Sequence, residues 1–217
     1  MSLLDDATRF LPRHLTEDET KKLFEDIKEF PGNLDKRLYM TPAPEDQEAI
    51  LQGDGVEGLL VVNLPAPEIK PTKAMILSNS CDADPSNERA FPTALCYAPI
   101  FSFDKYLDAL RRRNVKSEEY LVNHARDIRR QALTQIFFLP KSGGLEGDSI
   151  VFLDRINNCQ SNHVDRTELP KTRLFSLSQY GHWLFLLKIS IHFSRLTDKT
   201  KRGGAPAEVA ATDPTVH

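Results

Sequence analysis

The segment that most constrains the fold is residues 70–100, in which two strand-like runs flank a polar loop. Residues 74–77 are a short apolar run, and residues 93–98 are a second run rich in β-favouring and small residues. Residues 78–89 between them are mostly Ser, Asn, Asp and Pro, which favour turns over helix or sheet. We therefore predict two buried strands joined by a loop, and such a loop is a common location for functional residues.

Composition bounds the class of protein. The 217 residues are 40% hydrophobic and 27% charged, which is ordinary for a globular protein. A formal net charge of −3 argues against a whole-surface nucleic-acid binder, but it allows a local basic face. Three scattered cysteines form neither a disulfide framework nor a CxxC zinc pattern.

The chain ends and the apolar runs bear on localisation. The N-terminus is acidic where a signal peptide is basic, and the most apolar run, residues 183–196, is too short to span a bilayer. We expect a cytoplasmic protein with no cofactor, no metal site and no membrane contact.

Helix signals recur along the chain. Residues 16–19 form a capping box before an amphipathic helix, and Pro31 follows the last apolar position of that helix. Ser102 is placed to cap a helix over residues 103–113, and Ser117 to cap a longer helix ending near Gln135.

The remaining segments complete the predicted organisation. Residues 58–64 and 149–156 read as strands, a polar turn follows at 157–165, and residues 178–196 read as an apolar helix. The domain boundaries that we predict are an N-terminal helical extension (1–50), a β domain (51–196) with a helical insertion (102–135), and a disordered tail (197–217).

The insertion carries the clearest charge asymmetry. Residues 103–135 contain eight Lys or Arg and five Asp or Glu, a surplus of +3, so the rest of the chain sums to −6. One interpretation is a positive hairpin that binds phosphates, and the other is a solvated helical face. The candidate nucleic-acid-binding residues are Lys70, Arg111, Arg112, Arg113, Lys116, Arg126, Arg129 and Arg130.

Four sequence pieces resemble, in order, the PemK/MazF family of toxins. GLEGDSIVFLDRI at 144–156 resembles the family's last strand region, and a helix follows it. Upstream, GD at 53–54, AMILSN at 74–79 and API at 98–100 resemble three further family segments. The resemblance covers roughly residues 52–101 and 136–196.

The resemblance implies a mainly β, α+β fold: a small, strongly bent, SH3-like β-barrel, often paired as a homodimer and masked by an antitoxin protein. It also implies metal-independent cleavage of single-stranded RNA, which requires a base, an acid and positive charge facing the phosphorane. The family's arginine and threonine positions fall here on Thr72 and Phe101. Catalytic candidates are therefore the nearby polar residues Lys73, Ser78, Asn79 and Ser102.

Two functional hypotheses remain open at this stage. The first is an endoribonuclease rebuilt around these four residues, with the basic hairpin holding the RNA backbone. The second is a catalytically silent module that uses the loop and the hairpin to bind nucleic acid or a protein. Asp82, Asp84 and Asn87 are interpreted as turn-forming residues, Cys81 as structural, and His182 and His192 as core or interface histidines.

Overall fold

The computed structural model describes residues 16–194, apart from positions 33, 42, 43, 45, 46, 66, 88, 89, 92, 114 and 115. The tail expected at 197–217 and the first part of the N-terminal extension lie outside the described residues. The longer helices are α1 (Glu17–Lys28), α2 (Phe103–Arg113), α3 (Glu118–Arg129) and α4 (Gln179–Phe193). Short helical turns cover Leu34–Arg37, Ser80–Ala83, Ser161–His163, Arg166–Glu168 and Leu169–Thr172.

The strands form one antiparallel sheet of seven strands in the described part of the chain. They are β1 (Gly55–Asn63), β2 (Glu68–Ile76), β3 (Ala94–Ser102), β4 (Ile136–Leu139), β5 (Ser149–Phe152), β6 (Asn157–Gln160) and β7 (Arg173–Phe175). The order is β4-β5-β3-β2-β1-β7, and β6 also pairs with β3. This arrangement confirms the predicted α+β class, while the sheet path itself remains open between β4 and β7.

Strand β3 is the centre of the sheet. One of its edges pairs with β2, so that Ala74 lies opposite Pro99 and Ile76 lies opposite Tyr97. Its other edge pairs with β6 along the first half and with β5 along the second half. The two runs that flank the polar loop in the sequence are therefore neighbours, and the 149–152 segment joins the same sheet.

Several element boundaries differ from the sequence-based prediction, among them the start of β2 at Glu68 rather than Ala74. Strand β5 ends at Phe152 rather than near 156, because residues 153–156 turn the chain so that β6 can pair with the other half of β3. The first four residues of the predicted polar turn, Asn157–Gln160, therefore form a strand. Helix α3 ends at Arg129 rather than near 135, since Gln131 adopts a left-handed conformation with a φ of 56°.

Apolar side chains form two clusters on opposite faces of the sheet. Strand alternation directs Met75 into the larger cluster and Ala74 and Ile76 into the smaller one. In the larger cluster, Phe138 of β4 packs on α2 and Phe137 packs on α4, each with ring centroids 5.5 Å apart from its partner. The α2–α3 hairpin and α4 thus cover opposite faces of the β4–β5 half of the sheet.

The N-terminal segment packs on the same core. Leu23 of α1, together with Leu34 and Leu38, is buried in the larger cluster, and Tyr39 forms a β-bridge with Leu177. In the described part of the chain, no helix combines the length and the apolarity that crossing a membrane requires.

Candidate functional site

Two of the four catalytic candidates make hydrogen bonds that shape the backbone. The Ser78 hydroxyl accepts a hydrogen bond from the Cys96 amide at 2.7 Å, which extends the contact between β2 and β3. The Asn79 side-chain oxygen accepts one from the Cys81 amide at 2.9 Å and caps the turn at Ser80–Ala83. Both side chains therefore have a structural role.

The other two candidates lie elsewhere on the sheet. Lys73 in β2 places its Nζ 3.4 Å from the Glu146 carboxylate, and Ser102 at the end of β3 accepts a hydrogen bond from the Lys105 amide at 3.3 Å. Ser102 is six residues beyond Cys96, the backbone partner of Ser78, which corresponds to about 20 Å along a strand. The structure thus separates Ser102 from the loop that holds Ser78 and Asn79.

The polar loop borders a cavity of about 610 Å³ whose charge does not suit a phosphate. Three acids, Asp82, Asp84 and Asp165, line it against one cation, Arg166. Hydrogen bonds from Ser86 lower the pKa of Asp84, and hydrogen bonds from Thr167 lower the pKa of Asp165, so both carboxylates are ionised at neutral pH. Hydrogen bonds within its own turns therefore hold the polar loop, as the sequence indicates for Asp84, and the loop presents negative charge.

Across the described residues, no group of three or more His, Cys, Asp or Glu side chains is arranged to hold a metal ion.

A second cavity combines aromatic rings with cations. It has a volume of about 320 Å³, lies between α2 and the ends of β3 and β5, and is called the hairpin cleft below. It is lined by Phe101, Ser102, Lys105, Tyr106, Ala109, Leu110, Arg113, Phe152 and Arg155. None of these described lining residues is acidic, and no described carboxylate lies within 4 Å of the cationic groups of Lys105, Arg113 or Arg155.

Aromatic side chains build the floor of the hairpin cleft. Phe152 is packed edge-to-face against Phe101 and against Tyr106, with ring centroids 5.7 Å apart in both pairs. The Arg155 guanidinium lies 4.4 Å from the centre of the Phe152 ring and 5.3 Å from that of Phe101. The two rings hold this guanidinium without a carboxylate, and Arg155 is exposed, so its donors remain usable by a ligand.

One lining residue of the hairpin cleft, Tyr106, is hydrogen-bonded to a histidine. The Tyr106 hydroxyl is 2.9 Å from His124 Nε2, and the His124 ring stacks on Tyr120. Burial lowers the pKa of His124, although Asp127 opposes that effect, so the imidazole is neutral at pH 7. Burial raises the pKa of Tyr106, so its phenol is protonated. A neutral imidazole beside a phenol can accept a proton from it.

No protein-family model matches this chain, and no curated protein is significantly similar to it. The assignment of a function therefore rests on the chemistry of the clefts.

The basic residues proposed from the sequence fall into three groups. Those with acidic partners are Lys70 (Glu68, 2.5 Å), Arg111 (Asp108, 3.1 Å), Arg126 (Asp127, 3.6 Å) and Arg129 (Asp148, 3.7 Å). Arg112 donates to a backbone carbonyl and Lys116 lies over the Tyr120 ring. Arg113 and Arg130 instead line separate cavities. The structure therefore does not make one continuous face of all eight.

Sequence reasoning missed Arg155, Lys105 and the pairing of Tyr106 with His124. Arg155 follows β5 about fifty positions after Lys105, so no local motif contains both. The signal available was the aromatic-rich character of the β3 and β5 ends, with Phe101 and Phe152 each close to a basic residue.

Proposed function

We propose that this protein binds single-stranded RNA in the hairpin cleft. The observation that carries the proposal is a set of three cations, Lys105, Arg113 and Arg155, placed without opposing acids around an aromatic floor. Cations attract the phosphate backbone, and aromatic and guanidinium planes stack on bases. Stacking requires a base whose faces are free, which favours an unpaired strand over a duplex.

Kinship with the PemK/MazF toxins is part of this proposal. Gly53 and Asp54 precede β1, residues 74–79 end β2, residues 98–100 lie in β3, and α4 follows the last strands, which is the family order. The loop after β4 approaches the far edge of the sheet, where the Gly144 amide donates to the Leu174 carbonyl at 2.8 Å. This contact supports the proposal of a bent, SH3-like barrel.

The same kinship suggests partners and a location. We propose a homodimer, an antitoxin protein as a second partner, and a cytoplasmic setting. Cys81, Cys96 and Cys159 are all unpaired, which agrees with a reducing compartment.

RNA cleavage is the second candidate function. The Tyr106–His124 pair supports it, and this pair takes the place of the four catalytic residues first considered. When the 2′-hydroxyl oxygen attacks phosphorus, Tyr106 can accept the hydroxyl proton while it passes its own to His124. The bond from phosphorus to the 5′-oxygen breaks, that oxygen takes a proton from water, and Arg155 and Lys105 face the charge of the phosphorane.

Fluorescence anisotropy with a labelled, unstructured RNA in EDTA at low salt tests the proposal. Arg155→Ala removes one stacking plane and one cation, and we expect binding to weaken by about 1–3 kcal/mol, or roughly 5- to 150-fold. Arg155→Lys keeps the charge but loses the stacking plane, so it should recover only part of the affinity. Lys70→Ala is the matched control, because Lys70 is exposed and is paired with Glu68.

The RNA recovered from the same incubations separates the two candidates. Intact RNA with salt-sensitive binding supports the binding module, whereas fragments with 2′,3′-cyclic phosphate ends that disappear in His124→Ala support the nuclease. Equal affinity of Arg155→Ala and the native protein would refute the hairpin cleft as the site. An equal affinity for single-stranded DNA of the same sequence would refute RNA as the ligand.

A further inference from the structure

A second cationic cavity lies at the other side of the α2–α3 hairpin. It has a volume of about 390 Å³ and is called the α3 cleft here. Its described lining residues are Pro31, Leu34, Arg129, Arg130, Phe138, Pro140, Lys141 and Asp148. Three of these are cationic and one is acidic, so the cleft has a positive surplus.

The one acid of the α3 cleft is already engaged by protein donors. The Asp148 carboxylate accepts a hydrogen bond from the Lys141 amide at 3.1 Å, and Arg129 Nε lies 3.7 Å from its other oxygen. No described carboxylate lies within 4 Å of the Lys141 ammonium or of the Arg130 guanidinium. Among the described residues, these two cations therefore have no carboxylate partner within that distance.

Phe103, at the base of the hairpin, lies between residues of the two clefts. The Arg129 guanidinium lies 4.9 Å from the centre of the Phe103 ring, and the Phe103 amide donates to the Asp148 carbonyl at 2.9 Å. Phe103 is the first residue of α2 and follows Ser102, which lines the hairpin cleft. Lys105 is on the same first helical turn, so the start of α2 contributes to the hairpin cleft and contacts Arg129 of the α3 cleft.

The spacing suits a ligand longer than one nucleotide. Asp148 lines the α3 cleft and Phe152 lines the hairpin cleft, and they stand at opposite ends of β5. Four steps along the chain separate them, which is about 13 Å in a strand. A mononucleotide in the hairpin cleft would leave Arg130 and Lys141 without an anion, whereas a continuous strand would bring a further phosphate to them.

We propose that the α3 cleft is a second phosphate subsite, in which Arg130 and Lys141 hold the backbone of the same RNA strand that places a base in the hairpin cleft. The inference rests on the proposed RNA binding and adds a footprint and a path around the base of the hairpin. Arg129 has a positioning role, since Asp148 and Phe103 already hold it.

The test compares a short and a long ligand on one pair of variants. Arg130→Ala/Lys141→Ala removes both unopposed cations, and Lys21→Ala/Lys22→Ala removes the same charge from exposed positions of α1 that line neither cleft. The probes are uridine monophosphate and a fluorescein-labelled oligouridylate of about 12 nucleotides, a length within the site sizes of single-strand-binding proteins.

We expect the Arg130/Lys141 double variant to bind the oligonucleotide about 10- to 100-fold more weakly at low salt. The slope of its log affinity against log salt should become shallower by about 1.4, because two phosphate contacts with a single strand are lost. Its affinity for uridine monophosphate should match that of the native protein, whereas Arg155→Ala should weaken both ligands. The Lys21/Lys22 control should retain the native slope.

Two outcomes would overturn the subsite, and they are distinguishable. If the double variant keeps the native affinity and salt slope for the oligonucleotide, the subsite is refuted while RNA binding in the hairpin cleft stands. If the native protein binds neither ligand at low salt, the proposed function fails and the subsite fails with it. The fluorescence of Trp183, the sole tryptophan, confirms that each variant is folded.

Discussion

A buried lysine makes the stability of this protein depend on pH in the alkaline range. Lys188 of α4 is 5% exposed, and its Nζ donates to the Gln131 backbone carbonyl at 2.9 Å and to the Gln131 side-chain oxygen at 2.7 Å. No described carboxylate pairs with it. Burial lowers the pKa of Lys188 from 10.5 to about 7, because the charged form is disfavoured away from water.

The sign and the size of the effect follow from proton linkage. Between pH 7 and 10.5 the unfolded chain keeps a proton on this lysine that the folded chain gives up, so stability rises with pH across that window. The fall in pKa corresponds to roughly 4–5 kcal/mol over the whole window. Between pH 7 and pH 9 alone, the gain in the free energy of unfolding is about 2 kcal/mol.

Lys188→Met removes this titration while it retains a long apolar side chain. We expect the variant to be the more stable protein at pH 7, because the cost of burying the amine exceeds the loss of two hydrogen bonds, each worth about 1 kcal/mol. Its advantage should shrink by about 2 kcal/mol between pH 7 and pH 9. Urea unfolding followed by the fluorescence of Trp183, which lies on the same helix, measures both values.

The difference between the two proteins is the informative quantity, since other titrations cancel in it. Lys21→Met, at an exposed position of α1, serves as the control and should show a difference from the native protein that does not change with pH. A pH-independent difference for Lys188→Met would refute a buried, neutral Lys188. So would a variant whose advantage grows as the pH rises.

Two further stability predictions concern contacts between distant segments. Asp54→Asn should destabilise the fold by about 3–5 kcal/mol in urea unfolding, because the Arg173 charge, whose Nε lies 3.1 Å from the Asp54 carboxylate, would stay buried without a carboxylate. Adding Arg173→Met should recover part of this loss, and a loss below about 1 kcal/mol for Asp54→Asn would contradict the reasoning. Gly181→Ala should lower the melting temperature although alanine favours helix, since its Cβ would overlap the Leu38 carbonyl oxygen. A raised melting temperature would show that the helix can move away from Leu38 without cost.

Local chemistry determined what the sequence could predict. Each helix start expected from a capping residue is confirmed: Glu19 accepts from the Thr16 amide at 2.8 Å, Ser102 accepts from the Lys105 amide at 3.3 Å, and Ser117 accepts from the Tyr120 amide at 3.2 Å. Caps and periodic apolar positions act within one or two turns, so they can be read without the rest of the fold. The strands around residues 74–77 and 93–98 and the α+β class follow from the same kind of pattern.

Only the tertiary structure decided which of the basic and polar residues share a cleft. Lys105 and Arg155 are fifty positions apart and meet because β5 pairs with the second half of β3, and the burial of Lys188 depends on the left-handed turn at Gln131. Strand register and burial depend on how the whole sheet packs with its helices, so they cannot be predicted from a short stretch of sequence. The fold class was therefore legible in the sequence, whereas the composition of the hairpin cleft was not.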